Sequence, residues 1–521
     1  MGILSTKRTQ SEQHTTTQVV LNQRYSEVIM VTRNLIVSPF TKANLAKVGL
    51  AAAVCLSLAL GMPGQAVAQF GGGGGGGAGG GAGGGSTIGD SPFSGVAVDA
   101  DGVLRRVAAT DATGQLMQLR ARQARTQLEA DLQRPSKLRK VSLTRLGRLI
   151  DKSIAEGHGP DETMQHLAGL TRVQYVFFYP ETNDIVVAGP AEAWVETETG
   201  RVIGIETGQP VMELQDLVVA LRTFAPHGKK NPLVYCSIDP TQEGLQRMQQ
   251  FLSRVGSPRS IGDAQFTNFV VEGLQESLGL QNITIGGVAA DTHFAQVLVE
   301  ADYRMKLIGI GLERPPVRIA SYVALANPAS VARNALQRWF FVPNYERVKI
   351  SEDGHAAEFV GAGVKLVGED EVVGGDGGRT GSGRQSGASR KFTRSFTDNY
   401  EQLAQRAPVY GQLRNCIDLL VAAAFIQQND LYEAAGWDLG SLGEEATYPV
   451  QNYNTPKQVA TAVNSMWKQR RLMTPVGGGV EIRADQALSP ENRLADEGGN
   501  VASMRDSIDL SDLPADQWWW D

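Results

Sequence analysis

The chain of 521 residues contains no HExxH, no GxxxxGK[ST] loop, no GxSxG and no CxxC, so the most specific signatures of zinc proteases, P-loop enzymes, elbow-serine hydrolases and dithiol redox proteins are missing. Cysteine is scarce: of three, Cys55 sits in an apolar N-terminal run, and Cys236 and Cys416 suffice for one bridge but not for a disulfide framework. Both are expected as buried thiols. A basic excess is also lacking. The formal charge is −6, and a leader with six basic residues against Glu12 and Glu27 takes the remaining chain to −10. An acidic balance argues against nucleic acid as a partner, because displacing counterions from phosphates needs basic charge.

Hydrophobic residues make up 42% of the chain and charged residues 20%, an ordinary globular mixture. Lys42 and Lys47 precede an uncharged apolar run from Val48 to Leu60, then Gly61, Pro63 and the small-residue site Ala66-Val67-Ala68. This pattern predicts a secretory signal over residues 1–68, cleaved after Ala68, with Met30 as an alternative start. The run is too short for a bilayer-spanning helix, which needs roughly 20 apolar residues. No membrane span is therefore expected in the mature form, and the protein is placed in the periplasm or cell envelope.

Residues 69–92 hold a glycine tract, Gly71 to Gly85, broken only by Ala78 and Ala82, which reads as a flexible tether. Residues 93–373 read as a mixed α/β core. A hairpin turning at Asp99-Ala100-Asp101-Gly102 opens it, amphipathic helices follow at 115–132 and 143–156, and a second hairpin spans 173–188. Beyond it, 213–224, 240–255 and 292–308 alternate as helices with strands at 233–238 and 282–288. In the last helix Phe294, Val297, Leu298, Ala301, Met305 and Ile308 form one stripe, with Glu300/Arg304 and Asp302/Lys306 paired one turn apart. A Gly/Ser/Arg-rich loop at 374–390 and an acidic tail at 484–521 read as disordered, and 391–483 as a helical C-terminal part. The fold class is thus α/β or α+β: a mixed sheet with packed helices and disordered termini.

Candidate chemistry is thin. Cys236, with Asp239 nearby and His227 or His293 as base, is the minimum cast for a thiol nucleophile. Against that, Cys236 alternates inward, and Asp239-Pro240 with Gln242 reads as a helix cap. His158, Asp161, Glu162 and His166 cluster without standard metal spacing, so no metal and no cofactor is expected. Catalytic residues are not identified, and a deep polar cleft around Cys236 or His293 is the feature that would favour a hydrolase. Binding surfaces are easier to nominate. Arg120, Arg122, Arg125, Lys137, Arg139 and Lys140 belong to a basic stretch that suits an anionic envelope polymer. Trp518, Trp519 and Trp520 end the acidic tail, either as an anchor for an envelope protein partner or docked on their own domain.

Ala188–Trp194 (AGPAEAW), Ala301–Glu313 (ADYRMKLIGIGLE) and Pro475–Val480 (PVGGGV) resemble an uncharacterised family of exported planctomycete proteins, over roughly residues 95–480. The resemblance implies a bacterial source and export, and carries no activity with it. The sequence therefore points to an exported envelope protein that binds another component without catalysis, with a secreted hydrolase or a structural scaffold as alternatives.

Overall fold

The computed structural model describes residues 93–521 apart from 109–113, 257–259, 261, 328–334, 374–375, 377–378, 382, 469–470, 474–478, 508–509 and 511–512. The expected signal with Ala66 and Ala68, and the glycine tract, lie outside the described residues.

Local chemistry sets the first hairpin. Asp99 Oδ1 accepts from the backbone N–H groups of Asp101 and Val103, and Gly102 takes φ of 83°. Phe93–Val98 and Val103–Ala108 are thereby turned into antiparallel register. The aspartates form a turn.

Two large sheets, mostly antiparallel, organise the described residues. The first runs in the order Phe93–Val98, Val103–Ala108, Gln458–Ala460, Leu280–Gly286, Val234–Pro240, Gly479–Ile482, Ala335–Asn344, Gly363–Val373, Arg379–Gly381. The second runs Arg493–Ala495, Arg347–Ile350, Ala356–Val360, Tyr175–Tyr179, Asp184–Ala191, Ser136–Ser142, Trp519–Trp520. The class is a mixed α+β fold with a helical C-terminal part. Strict strand–helix alternation fails for a geometric reason. Between Val234–Pro240 and Leu280–Gly286 the chain makes two helices, Gln242–Arg254 and Ala264–Leu278, and the three reversals of direction bring the second strand back antiparallel.

Two helices form the centre. His293–Ile310 is buried nearly all round, so its charged face, which would be solvated on a surface helix, is enclosed: Arg304 Nη1 lies 3.4 Å from Glu300, and Lys306 Nζ lies 3.3 Å from Asp302. Pro408–Gln428 is long and apolar enough to cross a bilayer, with hydropathy 1.3, yet its apolar window is wholly buried inside the protein. It packs against Leu214–Thr223 and the His293 helix. Inside it, Asp418 accepts from the Tyr345 hydroxyl at 2.7 Å and from Arg172 at 3.1 Å.

Three expectations are corrected. The tail from 484 is folded: Arg493–Ala495 pairs parallel to Arg347–Ile350, and Trp519–Trp520 pairs antiparallel to Ser136–Ser142. Its apolar residues Val501, Leu510, Trp518 and Trp520 are buried, which offsets a low overall hydrophobicity. The 374–390 loop is ordered where described: Arg379–Gly381 adds a strand, and a helix starts at Gly387 after Ser386 caps it. The basic stretch is helical only in its first part. Lys137, Arg139 and Lys140 lie on the Ser136–Ser142 strand, where Arg139 and Lys140 are buried and Lys137 is exposed.

Candidate functional site

Segments distant in sequence converge on one large cavity of about 1030 Å³. Gly95–Ala97 of the first hairpin forms one wall and the turn from Glu196 to Val202 another. Tyr448, Pro449, Val450 and Tyr453 supply an aromatic and aliphatic side, while Glu213 to Gln215 and His293 to Glu300 provide the floor.

Thr292 positions His293. Its hydroxyl accepts from Ala295 N–H at 3.2 Å and starts the helix, so His293 is the first helical residue. Opposite it, the Leu214–Thr223 helix presents Asp216. Nδ1 of His293 lies 2.9 and 3.1 Å from the two Asp216 oxygens, and Nε2 lies 3.7 Å from Glu213 Oε1. Burial works against charge on the imidazole, but the Asp216 and Glu213 carboxylates overcome it and raise the pKa from 6.5 to about 9. The Gln412 amide nitrogen, 3.3 Å from Nε2, is placed to donate to a neutral ring, so it opposes these carboxylates; two close anions outweigh one amide dipole. Asp216 is itself raised by burial, against the pull of His293.

A second ionic array lies alongside. Arg201, from the hairpin turn, pairs with Glu300 and donates to Gln412, while Arg304 bridges Glu300 and Glu313, at 2.8 Å to the latter. Gln215 Nε2 donates to Glu213 and to the Tyr453 hydroxyl, leaving its carbonyl oxygen buried with no partner among the described residues. His166 also lines the cavity, edge-on to Trp194 at 5.7 Å between ring centroids, and burial lowers its pKa.

The sequence-nominated chemistry is distributed differently. Cys236 and Cys416 are free and buried. Burial pushes the Cys236 thiol well above its usual range and Asp302 adds to this, so it is not the activated thiolate that nucleophilic attack requires. His227 is exposed, and His293 is committed to Asp216 rather than to Cys236. Asp239 pairs with Arg379 at 2.5 Å, and Thr241 caps the following helix instead. Asp161 caps a short helix through Met164 N–H, and Glu162 accepts from Trp194 Nε1 at 3.3 Å, so neither joins His158 or His166 in a ligand set.

The nominated binding residues also separate. Arg120 donates to the Glu196 and Thr197 carbonyls at the cavity rim, Arg125 pairs with Glu206, and Arg122 is exposed. Arg139 is fully buried, donating to Asp521 at 2.8 and 3.0 Å and to the Ala168 carbonyl, with the Trp519 ring 4.7 Å from its guanidinium carbon. Trp518 and Trp520 are each 6% exposed, docked on their own domain. What sequence reasoning missed is the joining of Asp216, Glu213, Gln412 and Arg201 around His293. The Asp216–His293 pair spans 77 positions and has no periodicity to announce it.

Comparison with known proteins bears on one segment of this site. Residues 236–322 match a family described as a protein of unknown function (DUF1598). That segment contains the whole His293 helix and, from Cys236 onward, the strand that ends at Pro240. Of the three stretches quoted above, Ala301–Glu313 lies within it, and Ala188–Trp194 and Pro475–Val480 lie outside. No curated protein and no solved structure matches the chain.

Proposed function

We propose that the protein is an exported, non-enzymatic binding protein of the cell envelope that takes a small solute, or the end of a polymer, into the cavity around His293. One observation carries this: the cavity's charged floor is held in place by the Asp216–His293–Glu213 and Arg201–Glu300–Arg304 arrays before any ligand arrives. Preorganised polar groups opposite an apolar wall are the usual construction of a small-molecule site. The exposed Arg122 and Lys137 remain available to an anionic envelope polymer or a protein partner, whereas Arg139 and the Trp518 and Trp520 rings are used within the fold.

A hydrolase is the second reading, favoured by the buried aspartate–histidine pair facing the cavity. Among the described residues no serine or cysteine lines the cavity, and its two threonines are engaged elsewhere: Thr447 donates to the Ser441 and Glu444 carbonyls, and Thr199 pairs with Thr197. Binding without bond cleavage therefore fits better.

A thermal-unfolding screen of the protein against neutral sugars, amines and carboxylates tests the proposal. A specific ligand at a hundredfold excess over Kd adds about 2.7 kcal/mol and a shift of several degrees. Absence of a saturable shift from every class would overturn it.

A further inference from the structure

We infer that the cavity's ligand is an organic cation, a primary ammonium on an aliphatic stem; this rests on the binding role proposed above. Carboxylates outnumber cations at the cavity. Glu196, Glu198, Glu213 and Glu300 line it and Asp216 stands behind His293, against Arg201 and His293 in the lining, with Arg304 on Glu300 and Arg120 at the rim. Both lining cations are already engaged: Arg201 by Glu300 and Gln412, and His293 by Asp216 and Glu213. His166 adds no charge at neutral pH, because burial holds its pKa below the ordinary value. The carboxylates outnumber these cations, so the surplus negative charge favours an ammonium over an anion.

A second feature points to the same chemistry independently. Gln215 spends its amide N–H groups on Glu213 and Tyr453, and its buried carbonyl oxygen is left without a donor among the described residues. A buried acceptor without a donor costs about 1–3 kcal/mol, and since Gln215 lines the cavity, a ligand N–H that reached this oxygen by a small shift of the side chain would recover that cost. The Glu213 carboxylate and the Tyr453 hydroxyl both accept from the Gln215 amide, and the Tyr453 ring lies 5.9 Å from the His293 ring. An aromatic face beside a carboxylate suits an ammonium through cation–π and ionic attraction together. The aliphatic stem would lie on Val450, Pro449, Tyr448 and Ile154. A cavity of about 1030 Å³ has room for a polyamine or for one or two lysine side chains of a peptide.

Calorimetric titration of the intact protein with spermidine, with a trilysine peptide, with the fully N-acetylated form of each, and with a neutral trisaccharide tests the inference. An amine should bind, acetylation should weaken it at least tenfold, and Glu213→Gln should weaken it about tenfold. Glu196→Gln, at an exposed rim position, should weaken it two- to threefold and guards against misfolding of the first variant. Binding of spermidine alone identifies a free polyamine as the source of the ammonium, and binding of trilysine alone identifies a basic peptide; either supports the inference. Equal affinity for acetylated and free amines overturns it. Binding of the trisaccharide without the amines also overturns it while leaving the cavity's binding role standing, and silence from all the probes removes both.

Discussion

Replacing Asp216 with Asn should remove a pH dependence of stability that the wild-type protein carries between pH 6.5 and 9. In the folded chain His293 titrates near 9 instead of 6.5, because the adjacent carboxylates outweigh its burial. A cation raised in this way stabilises the fold fully below its unfolded value, and that stabilisation is lost as pH climbs through the folded value. The difference corresponds to about 3 kcal/mol. Part is offset because Asp216 is buried at a cost, which its own raised pKa reflects. Urea unfolding at pH 6 and pH 9.5 should therefore show the wild type losing about 3 kcal/mol and Asp216→Asn losing under about 1. In parallel, the His293 imidazole resonance should titrate near 9 in the wild type and close to 6.5 or below in the variant. A wild-type stability that is flat across this window, or a variant that keeps the wild-type slope, would refute the ionic reading of the pair.

Three further predictions concern the frame that holds the site. Asp184→Asn should destabilise by about 3–5 kcal/mol in urea, because it leaves Arg145 buried without its carboxylate; the wild type should also lose stability as pH falls through the depressed Asp184 value, and the variant should not show that loss. Trp520→Ala should cost about 3–5 kcal/mol by the same assay if the tail is part of the second sheet, and under about 0.5 if it is a mere tether. Gly169→Ala should cost well over 2 kcal/mol, since its added carbon would sit 2.2 Å from the Glu192 carbonyl oxygen, whereas Gly157→Ala, at the same positive φ but in open space, should cost about 1.

Much of the frame is legible wherever one face of an element is apolar. The stripe from Phe294 to Ile308 marks a helix, Ser142 caps Leu143–Ala155 as its position suggests, and the Asp99–Gly102 turn forms through the aspartate side chain. Ala264–Leu278 is equally legible, with Asp263 as cap and Val270, Leu274 and Leu278 at helical spacing, and it is the second helix that makes the flanking strands antiparallel. Other parts follow from tertiary contacts that local composition does not encode. The sequence Ser136–Ser142 is basic, yet it is an interior strand because Arg139 finds Asp521 across 382 positions. The tail is polar, yet it is ordered because its few large apolar residues meet Phe177, Val186 and Ala188 on the second sheet. His293 is legible as a titratable residue, but its partner is not, since nothing in the chain near Asp216 distinguishes that carboxylate from its neighbours.

Native mass spectrometry of the protein purified from its own cells bears most directly on the cavity around His293. A bound small molecule, released on denaturation and displaced by excess amine, is the result predicted. A bare polypeptide mass that stays bare when spermidine, trilysine and neutral sugars are added would contradict the account.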